Sequence, residues 1–452
     1  MLFVLSFLLL IVVGTGLLLL PYSTLGPGMS LIDALFMSAS AVCVTGLAVI
    51  DIGTKFSFFG QNVILVLIQL GGLGIMTFTG FFGYFLTGRS SYKNQFMFSE
   101  LMNEKDVSNV IHSLIRIVIL TFTFEALGAV LIFFNTNAIQ FDSFGERLYF
   151  SVFHSISAFC NAGFSTLSLG LYDESTRFNY NLQLIIAVLF ILGGLGFTIF
   201  LNVFLFIKRW TYLLFNRLVY RQTIIYKAWV MTFNSKLILY TSAILLVIGF
   251  SSYFALEYHN TLAEHSSLYG KVVTAFFSGA TPRTAGFNSV NMSSISFPTI
   301  LIMLLLMWIG ASPGSTGGGI RTSTIAVAAL NILNVGRTQE NIHIFRREVS
   351  DESVRKSFAI ISLSLIWLGI SIFLLSLTDG EKGLLNLAFE SFSAYSTVGL
   401  SLGITPVLSA EGKMIIIITM FLGRVGTLTL LISLIKNIQP KRYQYAEEHV
   451  LF

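Results

Sequence analysis

Four short stretches of this 452-residue chain share one pattern of small, hydroxyl-bearing and glycine residues. They are Ser40-Ala41-Val42-Cys43-Val44-Thr45-Gly46-Leu47, Ser157-Ala158-Phe159-Cys160-Asn161-Ala162-Gly163-Phe164, Ala280-Thr281-Pro282-Arg283-Thr284-Ala285-Gly286-Phe287 and Ser393-Ala394-Tyr395-Ser396-Thr397-Val398-Gly399-Leu400. Their glycines recur at separations of 117, 123 and 113 residues. No stretch sets a nucleophile beside a base, and the six histidines form no cluster, so no catalysis is assigned. Two cysteines, Cys43 and Cys160, provide neither a disulfide framework nor a transition-metal site. What such loops offer is backbone oxygen. A glycine takes φ > 0 without the cost that a Cβ imposes, so successive carbonyls can aim at one axis, and rings of carbonyls replace the hydration shell of a desolvated cation. The candidate ligands are Val44, Thr45 and Gly46, then Asn161, Ala162 and Gly163, then Thr284, Ala285 and Gly286, and last Thr397, Val398 and Gly399. One such glycine alone is an ordinary turn residue; four in register are a repeated device.

These loops need elements that hold them at membrane depth. The chain is 54% hydrophobic and only 11% charged, against about a quarter charged in soluble domains, so a water-soluble enzyme is excluded and a membrane protein expected. A span needs about 20 apolar residues, and apolar runs lie near 2–20, 59–87, 110–134, 181–207, 236–256, 298–335 (broken), 354–378 and 413–436. The first reads as a span, since it lacks the basic start and small-residue cleavage site of a signal peptide. Shorter apolar segments near 31–43, 146–160, 271–282 and 384–396 suit half-helices that end at membrane depth. A half-helix entering from outside aims its partly negative C-terminus at the membrane centre, which attracts cations. The expected fold is all-α, with four tandem helix–half-helix–helix repeats in pseudo-four-fold symmetry around a central pore. Eight spans put both termini on one side. Eighteen of the 27 Lys and Arg residues fall on that side, six on the other, and Arg283, Arg321 and Arg424 at membrane depth. By the positive-inside rule the 18-residue face is cytoplasmic. The net charge of +5 therefore reports orientation, not a nucleic-acid partner.

A second glycine signal follows each loop 25, 30, 24 and 24 residues on, at Gly71-Gly72-Leu73-Gly74, Gly193-Gly194-Leu195-Gly196, Gly310-Ala311-Ser312 and Gly423-Arg424-Val425-Gly426. In the third copy it extends to Gly310-Ala311-Ser312-Pro313-Gly314-Ser315-Thr316-Gly317-Gly318-Gly319. Each interior Gly costs a helix about 1 kcal/mol and Pro about 3, so irregular backbone is forced, with small side chains and free carbonyls lining an aqueous path. No Walker lysine follows and no βαβ unit precedes, which excludes a nucleotide loop. Arg424 interrupts the last apolar run, at a cost of at least about 2.5 kcal/mol if left unpaired in lipid. It is expected beneath the glycine ring, on carbonyls near Ser312 to Thr316, as a barrier to cations. Arg283 is expected to point away from the pore and anchor its loop, a carboxylate being one partner; Asp33 and Glu390 are the candidates, the alternative being that these acids only compensate the dipoles of their own half-helices. Arg321 suits a tether and a gate element equally. Glu125 is expected to be buried in the bundle or at a dimer contact.

With these motifs in hand, the chain closely resembles the membrane subunit of bacterial Ktr potassium uptake systems, in the Trk/Ktr/HKT superfamily. The four glycine loops match that family's filter loops, and the resemblance runs over nearly the whole chain. It implies a four-repeat monomer, homodimers in the bacterial cell membrane, potassium uptake often stimulated by sodium, and no organic cofactor. It also implies a partner, a cytosolic ring of RCK-type nucleotide-binding regulatory subunits, and an intramembrane loop below the filter that acts as the gate. Larger Trk-type members carry extra N-terminal spans, whereas this chain begins at its first pore repeat. A potassium-channel filter loop carries two glycines where these carry one, which implies fewer well-formed sites and more tolerant selectivity. The repeats are expected at 1–88, 109–208, 234–336 and 353–438, with a cytoplasmic tail at 439–452. A sodium- or proton-coupled solute transporter would also have broken helices, but in inverted pairs; here all four copies run the same way.

Overall fold

The computed structural model describes residues 2–26, 28–73, 110–136, 139–220, 231–337 and 342–428. Gly74, the tail 439–452 and the basic residues Arg89, Lys93, Lys105, Arg221, Lys227, Lys436, Lys441 and Arg442 lie outside the described residues. The described chain is helical, with one two-stranded hairpin. The stretch around Gly46 has α1 (Leu2–Leu18), α2 (Leu31–Val42) and α3 (Phe58–Gly72). That around Gly163 has α4 (Val110–Asn135), α5 (Phe144–Phe159), α6 (Tyr180–Leu195) and α7 (Phe197–Tyr220). Around Gly286 lie α8 (Phe233–Glu257), α9 (Leu268–Ala280), α10 (Phe297–Trp308) and α11 (Thr322–Gly336). Around Gly399 lie α12 (Asp351–Asp379), α13 (Leu384–Tyr395) and α14 (Ala410–Val425).

The four helices that lead into the loops, α2, α5, α9 and α13, have 12, 16, 13 and 12 residues. At about 1.5 Å per residue they reach well short of a hydrocarbon core of about 30 Å. Ser30, Ser143 and Ser267 cap three of them, each side chain accepting a backbone N–H of the first turn, worth about 1 kcal/mol per cap. Each carries one wholly buried phenylalanine nine or ten residues before its glycine, namely Phe36, Phe153, Phe277 and Phe389. Packing then runs in a circuit. Helix α3 packs on α5, α6 on α9, α10 on α13, and α14 on α2, so the last copy closes on the first. The outward faces expose large apolar residues such as Leu9, Val247 and Leu377, as a lipid-facing surface requires.

One strap recurs that sequence reading missed. In every copy the residue capping the second helix ties back to the end of the first or, in the first copy, to the turn just after it. Ser57 Oγ donates to the Tyr22 carbonyl, Asn179 Nδ2 to the Asn135 carbonyl at 2.7 Å, Ser296 Oγ to Glu257 Oε1 at 2.6 Å, and Ser409 Oγ to Asp379 Oδ2 at 2.7 Å.

The apolar runs need two corrections. The run at 181–207 is not one helix, because Gly196 has φ 89° and the axes of Tyr180–Leu195 and Ile199–Leu213 differ by 106°. The last run breaks likewise at Gly426, φ 90°. A helix cannot pass through a residue of positive φ, so the break first read in the third copy is shared. Among the described residues three helices are individually long and apolar enough to cross a membrane: Ile115–Asn135, Phe233–Glu257 and Asp351–Lys382. Tyr180–Leu195 and Ile199–Leu213 pass the same test only together, as a bent pair, and Val4–Leu18, Leu31–Val42, Phe58–Gly72, Phe297–Trp308 and Thr322–Gly336 are apolar but shorter.

Candidate cation pathway

The four loops share a backbone as well as a sequence. In each, two residues take positive φ: Val44 (57°) and Gly46 (93°), Asn161 (60°) and Gly163 (68°), Thr284 (67°) and Gly286 (79°), Thr397 (49°) and Gly399 (92°). The residue between them, Thr45, Ala162, Ala285 or Val398, does not. Alternating the sign of φ turns successive carbonyls, which would face opposite ways along an extended strand, toward one side. The structure thus supplies the second left-handed position with a non-glycine residue. Three of these are β-branched, a conformation that costs about 1–3 kcal/mol each and persists only where the surroundings enforce it.

The loops touch in the same circuit as the helices. A Cβ added to Gly46 would strike the Ala162 carbonyl, one on Gly286 the Val398 carbonyl, and one on Gly399 the Thr45 carbonyl; one on Gly163 would lie 2.9 Å from the Ala285 oxygen and 2.8 Å from Gly286 Cα. Glycine is therefore required twice over, by φ and by space. Val44, Thr45, Asn161, Ala162, Thr284, Ala285, Thr397 and Val398 are buried. Among the described residues none of their carbonyls accepts a hydrogen bond. Buried carbonyls are nearly always satisfied by protein, water or an ion.

Hydroxyls brace the loops from behind. The Gly46 and Gly399 N–H groups donate to Ser40 Oγ and Ser393 Oγ, each at 3.1 Å. Ser157 Oγ donates to the Phe164 carbonyl, and where the third copy has Ala280, neighbouring Thr281 Oγ1 donates to the Phe287 carbonyl, both at 2.7 Å. The serine six residues before three of the four glycines was the available signal. Cys160 packs against Gly72, and both cysteines are buried.

The loop 310–319 lies directly against this ring. Gly310, Ala311, Gly318 and Gly319 fold the loop back on itself, through the Ala311 N–H to Gly318 carbonyl bond at 3.2 Å and an Ile309–Ile320 bridge. A Cβ on Gly317 would strike Thr284 Oγ1, and the Gly318 N–H donates to Thr397 Oγ1 at 2.9 Å. Thr316 Oγ1 donates to Asn161 Oδ1 at 3.3 Å, while Asn161 Nδ2 donates to Thr284 Oγ1 at 3.2 Å. Three of the four strained residues thus meet the loop or one another. Pro313 and Gly314 abut the break at Gly196, where the Phe197 N–H donates to the Gly314 carbonyl at 3.2 Å. Ser315 Oγ donates to the Ser312 carbonyl at 2.6 Å.

Arg424 donates through Nη1 to the Thr316 carbonyl and through Nη2 to the Gly71 carbonyl, so it bridges the loop to the first copy. Arg321 Nη1 donates to the Gly317 carbonyl at 2.6 Å and to that of Ser312 at 3.3 Å. The expectation of free loop carbonyls is corrected: those of Ser312, Gly314, Thr316, Gly317 and Gly318 are all engaged.

Arg283 also departs from expectation. It points away from the ring, but to Ser242 on α8, whose carbonyl and Oγ accept at 3.2 and 3.3 Å, not to a carboxylate. Asp33 pairs instead with Lys413 at 2.7 Å, tying the first copy to the fourth. Glu390 accepts from Ser401 Oγ and from Thr405 Oγ1. Both acids lie on half-helices other than the third. Glu125 is buried and accepts from Gln69 Nε2 at 3.0 Å and from Cys160 Sγ at 3.6 Å.

The fold and its buried polar loops are those of a polytopic helical membrane protein. Residues 3–445 match the family described as TrkH, cation transport protein, and the chain belongs to that family. It is 37% identical to Ktr system potassium uptake protein B of Bacillus subtilis, over 98% of this chain and 94% of that protein. The protein of the same name from Vibrio alginolyticus is 36% identical over 99% and 93%. Potassium/sodium uptake protein NtpJ of Enterococcus hirae is 32% identical over 99% and 95%. Among solved structures, the potassium transporter TrkH from Vibrio parahaemolyticus superposes with a TM-score of 0.71 over 96% of this chain and 83% of that one, at 19% identity, a likeness of fold.

Proposed function

We propose that this chain takes up potassium across a bacterial cell membrane through a gated, channel-like pore. The carrying observation is the closed circuit of loops whose buried carbonyls find no hydrogen-bond donor among the described residues; desolvated cations are the groups that such oxygens satisfy. Four tandem repeats, at 1–88, 109–208, 234–336 and 353–438, surround the pore with pseudo-four-fold symmetry. The filter is residues 44–46, 161–163, 284–286 and 397–399. Loop 310–319, held by Arg424, is the gate, since mobile glycine-rich backbone switches between occluding and open forms over a small energy gap. The basic face, with both termini, is cytoplasmic. The names of the Bacillus, Vibrio and Enterococcus relatives support potassium as the cargo, with sodium as a stimulating or co-transported ion. Control by a cytosolic nucleotide-binding ring and assembly as a homodimer complete the reading. The membrane potential, about 2.3 kcal/mol per charge per 100 mV, is enough to drive uptake.

The test is rescue of a potassium-uptake-deficient bacterium at low potassium, with the regulatory partner co-expressed. The intact chain should restore growth and Gly286→Asp or Gly399→Asp should abolish it. Failure of the intact chain, present in the membrane at normal amounts, would overturn the reading.

A further inference from the structure

The hairpin between α11 and α12 is unexplained by a pore. Its strands, His343–Ile344 and Arg347–Glu348, pair antiparallel around a two-residue turn, Phe345-Arg346, in which both residues have positive φ, 51° and 62°. Such turns favour Asn-Gly; a bulky aromatic and an arginine there store strain. What holds the turn is its docking. Ile342, Ile344 and Val349 at the base join Leu237, Ala326 and Val327 in one apolar cluster. At the tip, the Phe345 ring stacks on Tyr240 at 5.6 Å and meets Phe233 edge-on at 6.2 Å.

Tyr240 begins an exposed stripe along α8 that continues through Ile244, Val247 and Ile248. On a membrane protein such a stripe faces lipid, so Phe345 stands where the lipid-facing surface meets water. Cations ring it. Lys236 Nζ lies 6.0 Å from the Phe345 ring centre, and Arg346 and Arg347 follow Phe345 in an exposed run. Among the described residues neither Lys236 nor Arg346 pairs with a carboxylate. Along the chain the nearest acids are Glu348, opposite His343 across the hairpin, then Asp351 at the start of α12, then Glu340 and Glu352, the last of which pairs with Lys356.

We propose that Lys236, Arg346 and the Phe345–Tyr240 aromatic pair form a binding site for the phosphate headgroup of an anionic phospholipid. Aromatic rings at the interface and cations beyond them are the two parts of lipid-headgroup recognition. The strained turn has a reason on this account: it leaves Arg346 exposed next to Phe345, whose ring Lys236 approaches, while Phe345 keeps its contact with Tyr240.

The site is tested on the full chain in nanodiscs of phosphatidylcholine with graded phosphatidylglycerol, by weighing the phosphatidylglycerol retained with the purified protein against bulk. At about five-fold per cation near a membrane surface, Arg346→Ala should lower the enrichment about five-fold and Lys236→Ala with Arg346→Ala more than ten-fold. Arg346→Lys should keep most of it. Lys356→Ala, on the same face but already paired, should change nothing. Unaltered unfolding temperature and elution volume keep the comparison one of folded proteins. Retained enrichment in the double variant, or equal loss in Lys356→Ala, overturns the site. So does a double variant that keeps its lipid but no longer forms dimers or no longer captures a cytosolic regulatory protein, because the hairpin would then be a protein contact. None of these readings needs potassium flux, so they stand apart from the test of the pore.

Discussion

The glycine ring and the loop packed against it are both irregular backbone, yet they are held in opposite ways. The ring is made of like parts. Each glycine abuts a carbonyl of the next loop, around to the first, and there is no room for a side chain. Loop 310–319 occurs once and is held by unlike parts: Arg424 from the fourth copy, Asn161 from the second, Thr397 from the fourth, and the N–H exposed by the break at Gly196. A surface built by repetition fails everywhere when one copy is altered. A loop held by several separate contacts, the plug of the proposed pore, can lose one and shift.

The first prediction tests the ring. Gly163→Ala or Gly286→Ala should cut potassium flux by two orders of magnitude or more, since the methyl group meets backbone on the neighbouring loop and the residue is forced into a left-handed conformation costing about 1–2 kcal/mol. Gly336→Ala, where a methyl has open space, is the control. Near-normal flux from Gly286→Ala in a potassium uptake assay would break the comparison. The second tests the plug. Arg424→Ala leaves the Thr316 and Gly71 carbonyls without their donor, and buried unsatisfied groups cost about 1–3 kcal/mol each, which favours release of the loop. Potassium leak through reconstituted protein without a partner should rise about ten-fold. If leak and uptake were both unchanged, Arg424 would be a structural residue only.

How much was legible follows the same division. The four loops and their half-helices are visible in sequence because repetition leaves a fourfold signal: the glycines at 117, 123 and 113 residues, and the runs into them. The burial of Arg424 follows from the cost of a charge in lipid. What the sequence hid is what occurs through contact between copies. Nothing local marks Val44, Thr284 or Thr397 as left-handed, because their type argues against it and only the surrounding structure enforces it. The Gly196 break was overlooked because Leu195 and Phe197 continue the apolar run on both sides. Arg283 found Ser242 because a backbone carbonyl and a hydroxyl, both invisible to charge matching, lie within reach.

A smaller effect sharpens the coupling of ring to plug. Asn161 is the residue through which the strained position of the second loop grips Thr316. Asn161→Ala removes that grip and the residue type most tolerant of positive φ, so uptake should fall several-fold while leak rises, with both changes smaller than at Gly286 and Arg424. Loss of uptake as complete as in Gly286→Ala, with no leak, would make Asn161 part of the ring alone. Away from both regions, Glu257 accepts from Ser296, Thr299, Thr261 and Asn260. Hydrogen bonds to a charged acceptor contribute about 1.5–3 kcal/mol, so Glu257→Ala should lower the unfolding temperature without altering selectivity. A changed potassium-to-sodium flux ratio in that variant would show that the strap reaches the filter.

The smallest effect lies where the loops of the second and third copies are joined. Tyr172 donates to Glu264, Arg177 stands 3.9 Å from Glu264, and Tyr180 contacts His265 Nδ1 at 3.1 Å beside the Phe178 ring. Burial lowers the His265 pKa below its ordinary 6.5, with Arg177 and Lys271 acting in the same sense and Glu264 against it. The unfolded chain therefore binds a proton more readily than the folded one. The junction keeps its full stability above about pH 6.5 and loses it as pH falls through that value, by no more than one proton's worth. Acidification from pH 7.5 to 5.5 should lower the unfolding temperature of the wild-type chain more than that of His265→Gln, which lacks the imidazole. If the two fell equally, protons would be acting elsewhere. Were potassium selectivity to change with pH in the wild type and not in the variant, the junction would bear on the ring itself, and the separation of ring from plug would have to be redrawn to include it.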